Sequence, residues 1–142
     1  MAVQAQGVTL FVKKESDSEF KEVGCLQSLG DIDFGSRDVI EIECLSSFVT
    51  EKLLGAKKFG NMDFTYTFDP QEPNGNKIIY DAFDDDNSVV LDIKIKTVDS
   101  TTFEFKGLVP NYKLIDFTKG SVVKVSATFA VKTKPIVTPP AP

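Results

Sequence analysis

Residues 60–95 read GNMDFTYTFDPQEPNGNKIIYDAFDDDNSVVLDIKI. Met62, Phe64, Tyr66 and Phe68 alternate with Asp63, Thr65 and Thr67, the period of a strand with one buried face. A turn rich in Pro, Asn and Gly follows (DPQEPNGN, 69–76). Then Ile78, Ile79, Ala82 and Phe83 recur at i, i+1, i+4 and i+5, which is one face of a short helix expected over about 75–85. Val89, Leu91, Ile93 and Ile95 restore the alternation against Asp92, Lys94 and Lys96. Strand, turn, short helix and strand together predict a mainly β domain whose helix closes one open side of a sheet or sandwich.

The pattern extends outward from this stretch. Val122–Lys132 places Val123, Val125, Ala127, Phe129 and Val131 on one face, and Thr102–Val109 sets Phe103 and Phe105 against Glu104 and Lys106. Shorter candidates are Val8–Lys14, Phe20–Gln27, Val39–Leu45 and Lys113–Phe117. The total is about eight strands, mostly antiparallel because the connectors are short. A chain of 142 residues predicts one domain. Residues 1–7 read as an N-terminal arm and 8–134 as the β domain. Residues 135–142, with four prolines, read as a flexible tail. Within the domain, 46–60 reads as a long loop, with GAKKFG (55–60) as its turn before the Met62 strand.

Charge narrows the function. The formal net charge is −5 and only Arg37 among the sixteen basic residues is Arg. The longest basic runs are the pairs Lys13-Lys14 and Lys57-Lys58, too little to grip a nucleic acid, whose binders cluster Lys and Arg to displace counterions. Residues 15–51 hold ten acids and two bases, whereas 117–142 hold four Lys and no acid. One reading is an ordinary solvated surface. The sharper one is a head-to-tail subunit contact, negative against positive.

Chemistry is sparse. With no His, His-based triads and metal sites are excluded. Cys25 and Cys44 are too few for a disulfide framework and read as buried thiols. The aspartates Asp81, Asp84, Asp85 and Asp86 fail as a calcium loop. Starting at Asp84, the glycine and glutamate positions are Val89 and Ile95; starting at Asp81, the third position is Phe83. No phosphate-binding glycine loop is present, so neither catalysis nor a cofactor is expected. The N-terminus lacks the pattern of a secretory signal. No apolar run approaches the ~20 residues of a membrane helix, so no membrane partner is expected.

Several of these motifs occur in an order that resembles a known family. Glu41–Asp69 (EIECLSSFVTEKLLGAKKFGNMDFTYTFD) leads through the Pro-containing turn to the helix NKIIYDAF and the strand SVVLDIKI; FEFKGLV (103–109) and VVKVSATFAVK (122–132) follow. This resembles the major tail tube protein of long non-contractile-tailed, lambda-like bacteriophages, over about residues 8–132. The resemblance implies an antiparallel β-sandwich or barrel-like fold with one flanking helix. It implies hexameric rings stacked into a tube that conducts viral DNA without specific binding, in a virion tail assembled in the host cytoplasm. Partners would be further copies of the chain, a tape-measure protein and a tail terminator. The long loop would make the inter-ring contact through Phe48, Val49, Leu53, Leu54, Lys57 and Phe59. Acids facing the lumen are expected among Asp81, Asp84, Asp85, Asp86, Asp92 and Glu104, where they would repel phosphate. Two other readings stay open: a monomeric β-barrel that binds a small ligand, and the ring protein of a type VI secretion-like tube. For the apolar residues of 46–60, the alternative is an ordinary strand pair or helix packed on the subunit's own core.

Overall fold

The computed structural model describes residues 7–32, 34–42, 51–69 and 75–139. In chain order the elements are β1 (Thr9–Lys14), β2 (Lys21–Glu22), β3 (Leu26–Leu29), β4 (Ser36–Ile42), β5 (Glu51–Lys58) and β6 (Asn61–Thr67). They continue with α1 (Gly75–Asp84), β7 (Leu91–Lys96), β8 (Thr102–Ile115), β9 (Lys124–Val131) and β10 (Ile136–Thr138). Among the described residues the fold is mainly β and antiparallel with one helix. One sheet runs β2-β1-β7-β8-β9-β6-β3, and β4 and β5 form a separate two-stranded ribbon.

The long strand β8 organises the sheet. Its first half pairs with β7, from Lys96 opposite Thr102 to Leu91 opposite Gly107. Its second half pairs on the opposite edge with β9, up to Ile115 opposite Lys124. Two strands expected separately at 102–109 and 113–117 are thus one. Pro110 lies where the register with β9 shifts, between Leu108 and Asn111. A residue with no N–H is tolerated at such an irregularity.

Three other expectations change. The Phe20–Gln27 strand divides into β2 and β3, because Gly24 between them sits at φ 105, a region that L side chains avoid. Within the expected 46–60 loop, Glu51–Lys58 form a strand, so of GAKKFG only Phe59-Gly60 link it to β6, while 46–50 lie outside the described residues; Leu53 pairs with Ile40 and Leu54 with Val39. Within the expected flexible tail of 135–142, Ile136–Thr138 form β10, with Ile136 opposite Glu104 and Thr138 opposite Thr102, while 140–142 lie outside the described residues. It continues the line of β9 along β8. Pro135 breaks the line, and the Lys106 N–H there donates to Thr133 Oγ1 at 3.0 Å instead.

The inward side chains of both halves meet in one core. Leu10, Val12, Leu91, Ile93, Ile95 and Phe105 come from one half, and Met62, Phe64, Tyr66, Val125, Ala127 and Phe129 from the other. Phe64 stacks on Phe129 at 4.2 Å and on Tyr66 at 5.6 Å between ring centroids.

Helix α1 covers the open side of this core with Ile79 and Ala82. Its entry is set by two residues. A Cβ on Gly75 would lie 2.9 Å from the Cα of Val23, so only glycine lets the helix start this close to the strands. Asn76, 2 % exposed, donates through Nδ2 to the Val23 carbonyl. Its Oδ1 accepts from the Asp69 N–H at 3.2 Å. One side chain thereby ties the helix to two strand ends. Among the described residues, no helix is long and apolar enough to cross a membrane.

Candidate functional site

The surface, rather than a cleft, carries the features that call for a function. The β4–β5 ribbon projects with both faces in solvent. Val39, Ile40, Leu53 and Leu54 are 59, 49, 50 and 63 % exposed. Side chains alternate in a strand, so the cross-strand pairs Val39–Leu54 and Ile40–Leu53 lie on opposite faces. Arg37 with Lys57 and Glu41 with Lys52 belong to the face of Val39. The other face holds the ion pair Lys58–Asp38 at 3.2 Å. A lone two-stranded ribbon is marginal in water, and one that is apolar on both sides is built to be covered. Of the expected contact residues, Leu53, Leu54 and Lys57 are together on this ribbon. Phe59 lies at its base, against Gly35. Phe48 and Val49 lie outside the described residues.

A second exposed surface was not anticipated. Between α1 and the second half of β8 runs a groove of about 340 Å³ lined by Phe68, Asp69, Asn76, Tyr80, Tyr112 and Leu114. Tyr80 meets Tyr112 edge-on at 5.4 Å, and Phe83 stacks on it at 5.9 Å. Tyr80, Phe83 and Leu114 remain 45, 40 and 38 % exposed. Behind the groove, the buried Tyr66 hydroxyl makes no hydrogen bond of good geometry. Burial, and after it the neighbouring Tyr112, raise its pKa far above the usual phenol. The aromatics were readable one by one in the sequence. Their convergence was not, because it depends on how α1 crosses β8.

The six expected lumen acids do not share one surface. Asp81, Asp84, Asp85 and Asp86 are on or just beyond α1, which lies over the core side of the sheet. The Asp85 N–H donates to the Asp81 carbonyl at 3.1 Å. The Asp85 carboxylate in turn accepts the Asn87 N–H at 2.9 Å, so this aspartate closes the helix end. Asp92 and Glu104 lie on the opposite face of the sheet, Asp92 between the buried Leu91 and Ile93 and Glu104 between the half-buried Phe103 and the buried Phe105. There Asp92 is held by Lys13 at 2.8 Å and faces Lys106 at 3.8 Å. Lys106 also bonds Glu15 at 2.9 Å, and first that bond, then the Glu15 and Asp92 charges, raise its pKa. Among the described residues, no group of three acids or thiols could hold a metal ion. Cys25, expected to be buried, is exposed: it falls in the irregular link between β2 and β3, and Gln27 Nε2 donates to its sulfur at 3.1 Å.

No known family matches the sequence, and no curated protein is similar to it. Solved structures do match, over nearly the whole chain. A chain in the sheath/tube terminator structure of an extracellular contractile injection system superposes with a TM-score of 0.70 at 15 % identity, covering 97 % of each chain. The tail of an empty GTA particle, refined with sixfold cyclic symmetry, gives 0.67 at 10 % identity, covering 99 % of this chain and 100 % of its own. The SPP1 tail tube protein gives 0.66 at 14 % identity, covering 99 % of this chain and 81 % of its own. This is the tail-tube fold. At these identities the likeness is one of architecture.

Proposed function

We propose that this chain is the structural subunit of a tail tube, forming hexameric rings that stack around a lumen for DNA. The observation that carries this is the β4–β5 ribbon, apolar on both faces, on a fold shared end to end with tube proteins. Within a ring, the edge of β3 and the edge of β8 beyond Gly107 on the β7 side are unpaired among the described residues. They bound the four-stranded half β8-β9-β6-β3. Pairing one subunit's β3 with the next one's β8 closes that half into a wall and removes both exposed edges.

In this arrangement the lumen meets the outward side chains of β6 and β9: Asp63, Thr65, Thr67, Lys124, Ser126 and Thr128. They are mostly hydroxyls, and Thr128 donates to Asp63 at 2.8 Å. Such a wall gives phosphate little to hold. Asp92 and Glu104 then belong to the half outside the wall, and the α1 aspartates to the subunit's other side. The tube reading includes the lambda-like, non-contractile type, a tape-measure protein and a terminator as partners, a place in the virion tail and assembly in host cytoplasm. The role is structural rather than enzymatic. A ligand-binding barrel is disfavoured because Phe64, Tyr66 and Phe129 fill the interior.

The test is negative-stain electron microscopy of concentrated protein, with mass photometry. Stacked tubes support the reading. Rings that never stack favour the secretion-type alternative. A monomer under all conditions, including with tail terminator added, overturns both.

A further inference from the structure

We infer that the aromatic groove between α1 and β8 is the seat for one face of the β4–β5 ribbon of a neighbouring copy. This rests on the tube reading and adds what that reading lacks, the surface that receives the ribbon. The two surfaces match in chemistry. The groove offers Phe68, Tyr80, Tyr112 and Leu114, with Phe83 stacked beside Tyr112. Exposed aromatics around a concavity are the usual anchors of a protein contact. The Val39 face of the ribbon supplies the complementary aliphatic pair, Val39 and Leu54, which are the more exposed of its two pairs.

Charge selects the face and the partner. Beside Val39 and Leu54 lie three cations, Arg37, Lys52 and Lys57, against one acid, Glu41. The groove is bordered by two acids, Asp69 and Asp81, against one cation, Lys77, and α1 ends at Asp84 with Asp85 and Asp86 just beyond it. The opposite face of the ribbon, with Ile40 and Leu53, carries its described cation Lys58 already paired with Asp38, so it offers these acids less positive charge than the Val39 face. A basic aliphatic ribbon and an acidic aromatic groove on one chain are complementary in a head-to-tail contact between copies. This also gives the aspartate run a role: like charges at a helix C-terminus are disfavoured by the helix dipole, and a cationic neighbour relieves that.

The test reverses the charges one side at a time in the full chain. Lys52→Glu with Lys57→Glu, and separately Asp81→Lys with Asp84→Lys, should each raise the critical concentration for tubes about tenfold or more. All four substitutions in one chain should restore it to within about threefold of the parent. A quadruple variant that assembles no better than either double, while the parent forms tubes and every variant melts normally, overturns the groove assignment and leaves the tube reading intact. A parent chain that forms neither rings nor tubes removes both. Tyr80→Ala supplies a charge-independent check: assembly at the parent's critical concentration would overturn the seat.

Discussion

Replacing Leu54 with alanine should weaken assembly while leaving the subunit's own stability alone. Leu54 is 63 % exposed in the free chain, so its side chain contributes little to the fold. If a neighbour covers it, the truncation removes about three carbon groups' worth of burial at ~0.8 kcal/mol each, scaled by the fraction newly buried, or roughly 1.5 kcal/mol per contact. Since ~1.4 kcal/mol is a tenfold change in an equilibrium constant, the critical concentration for tubes should rise about tenfold. Pelleting a dilution series and measuring the soluble plateau reads this directly, and the melting temperature should move by less than ~2 °C. A plateau within twofold of the parent would mean that Leu54 stays in solvent in the tube. A melting temperature several degrees lower would mean that the ribbon packs on its own subunit, and the reasoning from exposure would fail.

Asn76→Ala leaves the Val23 carbonyl and the Asp69 N–H without their partner and should cost about 1–3 kcal/mol in urea unfolding; a loss below ~0.5 kcal/mol would show that water replaces the side chain. Gly75→Ala forces a methyl against Val23 and should cost about 1–3 kcal/mol, read in the same assay, where a neutral result would mean the helix start shifts freely. In the β7–β8 turn, the Thr97 hydroxyl and then the Thr101 N–H hold the Asp99 carboxyl below its ordinary pKa of 3.8. Its folded-state pKa is depressed, so its stabilisation is present above that value and fades as pH falls through the folded pKa. Asp99→Ala should therefore melt lower than the parent at neutral pH, with the gap closing only in acid; a gap independent of pH would contradict this. Asp63→Lys should slow DNA ejection from assembled particles without changing tube yield, whereas Asp92→Asn should leave ejection unchanged. The reverse result would exchange the two sheet faces.

Strands β1, β6, β7 and β9 were legible because strict alternation records a surface with one wet and one dry side. Helix α1 was legible for the same reason at a different period. The ribbon was legible only in part: Val39–Leu45 marks β4, but the described side chains of β5 are exposed on both faces, so EKLLGAKK carries no alternation, and its glycine reads as a turn. The tail strand β10 was hidden by its prolines, which cannot reveal that the residues between them continue along β8. The candidate surfaces divide in the same way. Leu53 and Leu54 stood out as too apolar for a loop. The separation of Asp92 and Glu104 from the α1 aspartates depends on which side of the sheet the helix lies, and nothing local encodes that.

Strand β8 has a mechanical consequence. It belongs to both halves of the sheet, with β7 along one edge and β9 and β10 along the other. A hinge between the halves would have to bend β8 near Gly107, where its pairing passes from β7 to β9, and pull apart the core that both halves share. The subunit therefore acts as a stiff tile. In the proposed tube, curvature would be taken up at the joints between tiles, with the two-stranded ribbon as the compliant element, so that the bore would bend along its length without changing its width.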